Sequence, residues 1–358
     1  MTISTHIRFQ PSMTVSKKEL RIGVAGAGRM GRIHIENIIE IRFVKVVAVC
    51  TPIESEQEWA IDFLGPETAV YSDYSDFIKA DFEATLIVTP NKFHKEQVLE
   101  AIANGKHVFC EKPLAADARG AWEVYNKSLE YPHLKIACGF PRRYAPAYVE
   151  AAKKIRNGDV GEIITLRSQT TDLYMNNEYF VDYIKTSGGI FLDCNIHDID
   201  ACLFLMGTDE TPVRAYATGT TNVFPVFKEF GDVDDGLGLI DFADGKVVNV
   251  YGSRDNKHAH HSMTEVIGTK GRILINGQPR LYTIDISDEM GTRMEGAKSQ
   301  MDLLAPAFKA EILAFRDWIL DGTEPNFNLK DAAKAVSIAE ALMVSLKTKQ
   351  AVEISLVK

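Results

Sequence analysis

The chain has 358 residues, of which 46% are apolar and 25% charged, and a formal net charge of −9. That balance suits a globular protein of two domains and lacks the basic stripe of a nucleic-acid binder. No apolar run approaches the ~18 residues that span a bilayer, so neither a nucleic-acid nor a membrane partner is expected.

The five cysteines, Cys50, Cys110, Cys138, Cys194 and Cys202, form no CxxC pair and lie mostly in apolar segments. They read as buried reduced thiols of a cytoplasmic protein. Residues 1–19 carry Arg8, Lys17 and Lys18, and the only acid is Glu19 at the end. Without the apolar core of a secretory signal, they read as a flexible extension rather than a presequence.

From residue 20 to 140, short apolar runs alternate with helical spacing. Strands are expected at 21–25, 44–50, 85–88, 107–110 and 135–138, and helices at 30–41, 92–104 and 117–130. This alternation predicts a doubly wound parallel sheet, a dinucleotide-binding domain of the Rossmann kind. Residues 141–358 change grammar. A helix at 145–157 and a strand at 162–171 lead through a polar, aromatic loop at 172–185 to a helix at 193–206. Tyr174, Asn176, Asn177, Tyr179 and Tyr183 of that loop suit a polyol or an ordinary surface. An antiparallel meander over 213–286 and helices at 306–320 and 329–347 complete an α+β domain. Its open sheet face needs a partner or solvent-tolerant residues.

Gly26-Ala27-Gly28-Arg29-Met30-Gly31 follows the first strand and opens a helix, the setting a dinucleotide pyrophosphate requires. At the ribose end, the acid that ordinarily closes the second strand is replaced by Thr51. No Arg or Lys follows to welcome a 2′-phosphate, and Glu54 and Glu56 oppose one. The reading leans to NAD and leaves NADP open.

Lys112 lies just past the carboxyl end of a strand, where open α/β sheets place ligands, and Pro113 fixes its exit. In a continuous helix, Asp193, His197 and Asp200 would share one face, setting an imidazole between two carboxylates. That arrangement suits a general base for an alcohol proton. If 254–267 is one strand, His258 and His260 share a face and reach substrate hydroxyls. They make poor metal ligands, since no third donor is clearly supplied, and no metal site is expected.

GAGRMG, TPNKFH (89–94), GKHVFCEKPLA (105–115) and GGIFLDCNIHDID (188–200) together resemble the Gfo/Idh/MocA oxidoreductase family in order and spacing. GFPRRYAPAY (139–148) is similar to its inositol 2-dehydrogenase branch. The resemblance implies that Thr89, Pro90, Asn91, His94, Glu111 and Lys112 join the glycine turn and Thr51 around the cofactor. It implies catalytic roles for Lys112, Asp193 and His197, and places Arg142 and Asp200 in the substrate pocket. The implied activity is NAD(P)-dependent oxidation of a secondary hydroxyl on a cyclic polyol or sugar, by a homodimer or homotetramer. The alternative is a non-catalytic NAD(P)-binding sensor on the same fold.

Overall fold

The apolar runs of the N-terminal half pair as one parallel sheet in the computed structural model. It describes residues 18–174, 178–207 and 209–356, with only the backbone at 178–180. Most of the N-terminal extension, Asn176, Asn177 and the Tyr179 side chain lie outside the described residues.

In chain order the first half runs β1 (Leu20–Ala25), α1 (Arg29–Ile39), β2 (Val44–Cys50), α2 (Glu54–Leu64) and β3 (Ala69–Tyr71). There follow α3 (Tyr74–Phe77), β4 (Ala84–Ile87), α4 (His94–Ala103), β5 (His107–Glu111), α5 (Ala118–Leu129) and β6 (Ile136–Gly139). Strand order is β3-β2-β1-β4-β5-β6, parallel throughout. Buried on both faces, β4 and β6 carry no alternation, which is why they read as continuous apolar runs. The order reverses between β1 and β4, so the ends of β1, β4 and β5 open onto the crevice where such sheets bind ligands.

The second half contains α6 (Pro146–Arg156), β7 (Ile163–Leu173), α7 (Glu178–Ser187), α8 (Ile190–Asp193) and α9 (Ile196–Met206). Then come β8 (Pro212–Thr220), β9 (Asp235–Phe242), β10 (Val247–Asn256), β11 (His261–Gly268) and β12 (Arg272–Ile275). A small hairpin, β13 (Ile286–Asp288) and β14 (Gly291–Arg293), precedes α10 (Gln300–Leu320), α11 (Leu329–Thr348) and β15 (Val352–Glu353). The seven-stranded sheet has the order β12-β11-β7-β10-β9-β8-β15. It is antiparallel except that β7 and β10 run parallel. The expected simple meander is thus corrected. After β10 the chain steps over the end of β7 and returns as β11 on its other side, so 254–267 is not one strand.

Three other expectations change. The loop at 172–185 contains α7, packed over a small core of Ile184, Phe224 and Phe227. The helix expected from Pro306 begins at Gln300, capped reciprocally by Ser299 and Asp302. Its Ile312 and Phe315 pack among β1, β2 and β4, so this C-terminal segment completes the core of the N-terminal half. Among the described residues, no helix is long and apolar enough to cross a membrane.

One buried cation ties the segment after β6 to α9 and α11. Arg143, just past β6, donates to both Asp200 oxygens on α9 and to Asp331 on α11, all of them buried. It also reaches the Asn326 carbonyl. Removing one partner of such a cluster leaves bare charge in the interior. Arg143→Ala should therefore lower the free energy of unfolding by about 3–5 kcal/mol. Urea denaturation checks this, and a loss below about 1 kcal/mol would place Arg143 among ordinary surface pairs.

Candidate active site

The glycine turn at the end of β1 is built for close approach. Gly26 has φ +96°, and a Cβ there would lie 2.5 Å from the Val88 carbonyl oxygen. A Cβ on Gly31 would stand 2.1 Å from the Gly26 oxygen, so helix and turn pack tighter than any side chain allows. Gly28 caps α1 without a side-chain hydrogen bond, leaving the first-turn N–H groups of Arg29, Met30 and Gly31 to an anion. These residues fit a dinucleotide pyrophosphate.

Lys112 leaves β5 through a cis Lys112-Pro113 peptide. Its Nζ donates to the Asp193 carbonyl oxygen at 2.7 Å and to Asp193 Oδ1 at 3.3 Å. These bonds join a lysine at the end of β5 to an aspartate at the end of α8. Asp193 also accepts the Tyr183 hydroxyl on Oδ1 at 2.6 Å and Arg254 Nη1 on Oδ2 at 3.1 Å. Burial alone would raise the Asp193 pKa, but Lys112 and Arg254 outweigh it and hold the carboxyl well below the usual range. Asp193 is a fixed anion that orients Lys112. Its field, with burial, pushes the Tyr183 hydroxyl the other way, so that side chain stays a donor.

The helix bearing Asp193 and His197 is broken. Asp193 ends α8, Cys194 and Asn195 form the joint, and His197 lies in the first turn of α9. The joint is held by Asn195 Nδ2, which donates to Asp198 Oδ2 and to the Tyr251 carbonyl oxygen. His197 is buried, edge-on to the Phe140 ring. Burial lowers its pKa well below 6.5, Lys112 and Arg142 push it further, and the nearby Asp193 only partly opposes them. The imidazole is neutral and free to take a proton.

Several expected residues serve elsewhere. Asp200 is turned from the pocket, since Arg143 takes both its oxygens. His258 sits exposed in the turn after β10, whereas His260 is buried and joined to Asp172 at 2.9 Å and Ser262 at 3.0 Å. The shared strand face expected for them does not exist. His94 spans the carbonyls of Thr89 and Pro113, bracing two loops instead of facing a ligand. Glu111 points inward, with Oε1 2.6 Å from His34 Nε2 and Oε2 accepting the Lys112 N–H. Thr89 donates to Gln97, and Asn91 reaches the Ser187 carbonyl oxygen of α7, beyond Pro90. Arg142 is buried with Nη1 on Asp198 and Nη2 on Thr170, and its charge acts on His197.

Arg254 escaped the sequence reading although its signal was present. Val248, Val250, Gly252 and Arg254 are the inward series of β10, and a cation at the end of an inward series demands a buried anion. The same logic applies to Asp198, wholly buried on a nearly all-apolar helix, where it meets Arg142, Ser168, Thr170 and Asn195.

Comparison with known proteins shows the family of the chain. Residues 20–131 match a family described as "Oxidoreductase family, NAD-binding Rossmann fold", and residues 148–274 match "GFO/IDH/MocA C-terminal domain". The chain is 30% identical over 339 residues to scyllo-inositol 2-dehydrogenase (NAD(+)) of Bacillus subtilis (strain 168), covering 94% of this chain and 96% of that one. A crystal structure of scyllo-inositol dehydrogenase from Lactobacillus casei, with bound NAD(H) and scyllo-inositol, superposes with TM-score 0.89 at 30% identity. It covers 94% of this chain and 99% of that chain. Myo-inositol 2-dehydrogenase from Lactobacillus plantarum gives TM-score 0.88 at 32% identity, covering 94% of this chain and 100% of that one.

Proposed function

Because the chain belongs to the Gfo/Idh/MocA oxidoreductase family, and so carries an NAD-binding domain, we propose that it oxidises a secondary hydroxyl of a cyclic polyol or pyranose sugar. The observation that carries this reading is the junction of Lys112, Asp193 and a neutral His197 beside the glycine turn's crevice. The relatives that act on inositols support a substrate of inositol-like shape.

Bound NAD supplies the hydride acceptor. The residues of this chain do the rest. His197 receives the hydroxyl proton as the carbon–hydrogen bond breaks, leaving a carbonyl on the product. Lys112, fixed by Asp193, presents an ammonium to the oxygen that gains negative charge. The neutrality of His197 follows from burial and two nearby cations, so the base is ready without prior deprotonation. Tyr183 on α7 and the pair of buried His260 and partly exposed Asp172 supply hydrogen-bonding groups around the same spot.

A panel of inositols and aldoses with NAD or NADP, read by absorbance of the reduced nicotinamide, tests the class. Turnover should appear with at least one of them and fall by about 10²–10⁴ in His197→Ala, the usual contribution of a general base. Full activity in that variant would sink the mechanism. The pH profile is a sharper check. Protonation of His197 abolishes the acceptor, and its pKa lies below 6.5, so kcat/KM should hold level down through that pH and decline only beneath it. A decline centred above 6.5 would contradict the neutral, depressed base.

Assembly belongs to the same proposal. On the sheet face away from the helices, Leu237, Tyr251, Gln169 and Met263 align across β9, β10, β7 and β11. Tyr216 and Leu239 continue the apolar surface, and Leu237 and Leu239 are 48% and 46% exposed. An uncovered patch of this kind fits a second copy of the chain in a homodimer or homotetramer. Sedimentation at micromolar concentration should show the oligomer, and Leu237→Glu with Leu239→Glu should yield monomer. A monomeric parent chain refutes the assembly.

A further inference from the structure

Thr51 directly follows β2, at the place where a carboxylate ordinarily takes the hydroxyls of the adenosine ribose. A threonine there lacks the charge for that task, yet its hydroxyl is aimed with care. Thr51 is 2% exposed and locked through its backbone: its N–H donates to the Tyr71 oxygen, and its carbonyl accepts Gln57 Nε2. Thr51 Oγ1 donates to Glu56 Oε2 at 2.6 Å. Glu56 belongs to the first turn of α2, and its other oxygen, Oε1, lies 3.5 Å from where a Cβ would stand on Gly28. No other heavy atom lies within 4 Å of that point. The carboxylate thus borders the open space at the middle glycine of the pyrophosphate turn.

We propose that Glu56, reaching back from α2 and aimed by Thr51, binds the ribose diol of the dinucleotide and is the residue that selects NAD over NADP. The inference rests on the NAD-binding reading of the N-terminal half and adds a named determinant to it.

A plainer role for Glu56 is to complement the positive end of α2. Glu54 serves that end equally well, and it is exposed. Of the two, Glu56 is the one bonded to Thr51, just past β2, and turned toward Gly28. An ionised carboxylate accepts from two vicinal hydroxyls, the pattern a ribose diol offers. A 2′-phosphate in the same place would bring like charge against Glu56. The cation on the adjoining helix face, Arg32, is already engaged: Nε donates to the Ala27 oxygen at 3.2 Å, and the guanidinium lies 4.7 Å from the Trp59 ring centre.

The test is equilibrium binding of NAD and NADP by titration calorimetry, without polyol, so that it stands apart from the substrate proposal. The parent chain should bind NAD at least about tenfold more tightly than NADP, the scale of one charge-assisted hydrogen bond. Glu56→Gln should weaken NAD by about tenfold and leave NADP equal or stronger, so the preference collapses. Thr51→Val keeps the charge but loosens its aim. It should weaken NAD by a smaller factor while still rejecting NADP, and it stands as the second variant should Glu56→Gln fold poorly. An unchanged NAD-to-NADP ratio in Glu56→Gln overturns the proposal. So does a parent chain that binds both equally, which would mean Arg32 swings onto the phosphate. A parent chain that binds neither dinucleotide overturns the nucleotide reading itself, a result distinct from an unchanged ratio.

Discussion

The ammonium of Lys112 is the interaction on which the rest of the site depends. It crosses from the end of β5 in the parallel sheet to the last residue of α8 in the other half, and bonds both the carbonyl and the carboxylate of Asp193. A lysine with four rotatable bonds is held in one geometry only if its acceptor is fixed. Asp193 is fixed, because Arg254 and Tyr183 fill its remaining positions. Three donors around one carboxylate leave it no proton to give or take. Burial, helped by the charges of Lys112 and Arg142, keeps the His197 imidazole neutral, as its proposed role as the base requires. Lys112 is the cation common to both effects.

Behind Lys112 lies a second, drier cluster. Glu111 Oε2 accepts the Lys112 N–H, and its Oε1 lies 2.6 Å from His34 on α1, the helix that begins at the glycine turn. Burial would raise the Glu111 pKa, but the His34 hydrogen bond and charges lower it. Glu311 on α10 comes within 4.8 Å of both, and burial, reinforced by Glu111 and Asp200, pushes its pKa well up. A neutral Glu311 beside an ionised Glu111 lets the group sit among Phe109, Phe308 and Phe315 without a second bare charge. The cofactor helix, the lysine loop and a C-terminal helix are thereby linked through three side chains. Glu111 does not need to touch a nucleotide to matter to the position of Lys112.

Much of this was legible in the sequence, for physical reasons that differ by element. Parallel strands buried on both faces write uninterrupted apolar runs, so β1, β2, β4, β5 and β6 were visible within a residue or two. The edge strand β3 has three residues and no fully buried side chain, and α2 buries only Ala60 completely, so neither writes a pattern. Lys112, Asp193 and His197 stand out as motifs, but the break at Cys194 and Asn195 does not, because Asn195 is anchored by a long-range bond to the Tyr251 carbonyl oxygen. Adjacent arginines show the limit most clearly. Arg142 and Arg143 are neighbours in sequence, yet one braces the pocket wall through Asp198 and Thr170 and the other ties α9 to α11. Which of two adjacent aspartate-seeking side chains meets Asp198 or Asp200 depends on packing that no spacing rule contains.

The order of the second sheet separates the proposed site from the outward sheet face. Because β7 and β10 run parallel, their carboxyl ends lie together, and the chain must bridge β7 before β11 can pair with it. That bridge carries Asn256 onto Thr171 and His260 onto Asp172, at the ends of the two strands and beside Arg254 and Asp193. An antiparallel β7–β10 pair would have sent one of these ends to the opposite edge. The inward face of the sheet is covered by α8, α9 and α11, whereas the outward rows of Leu237, Leu239, Tyr216 and Tyr251 point away from the site. Side-chain alternation along each strand makes the two surfaces independent, since no residue serves both faces. Residues at the strand ends can therefore change without disturbing the outward face. The constraint falls at the strand ends, where Arg254 on β10 pairs with Asp193 and His260 on the bridge meets Asp172 on β7.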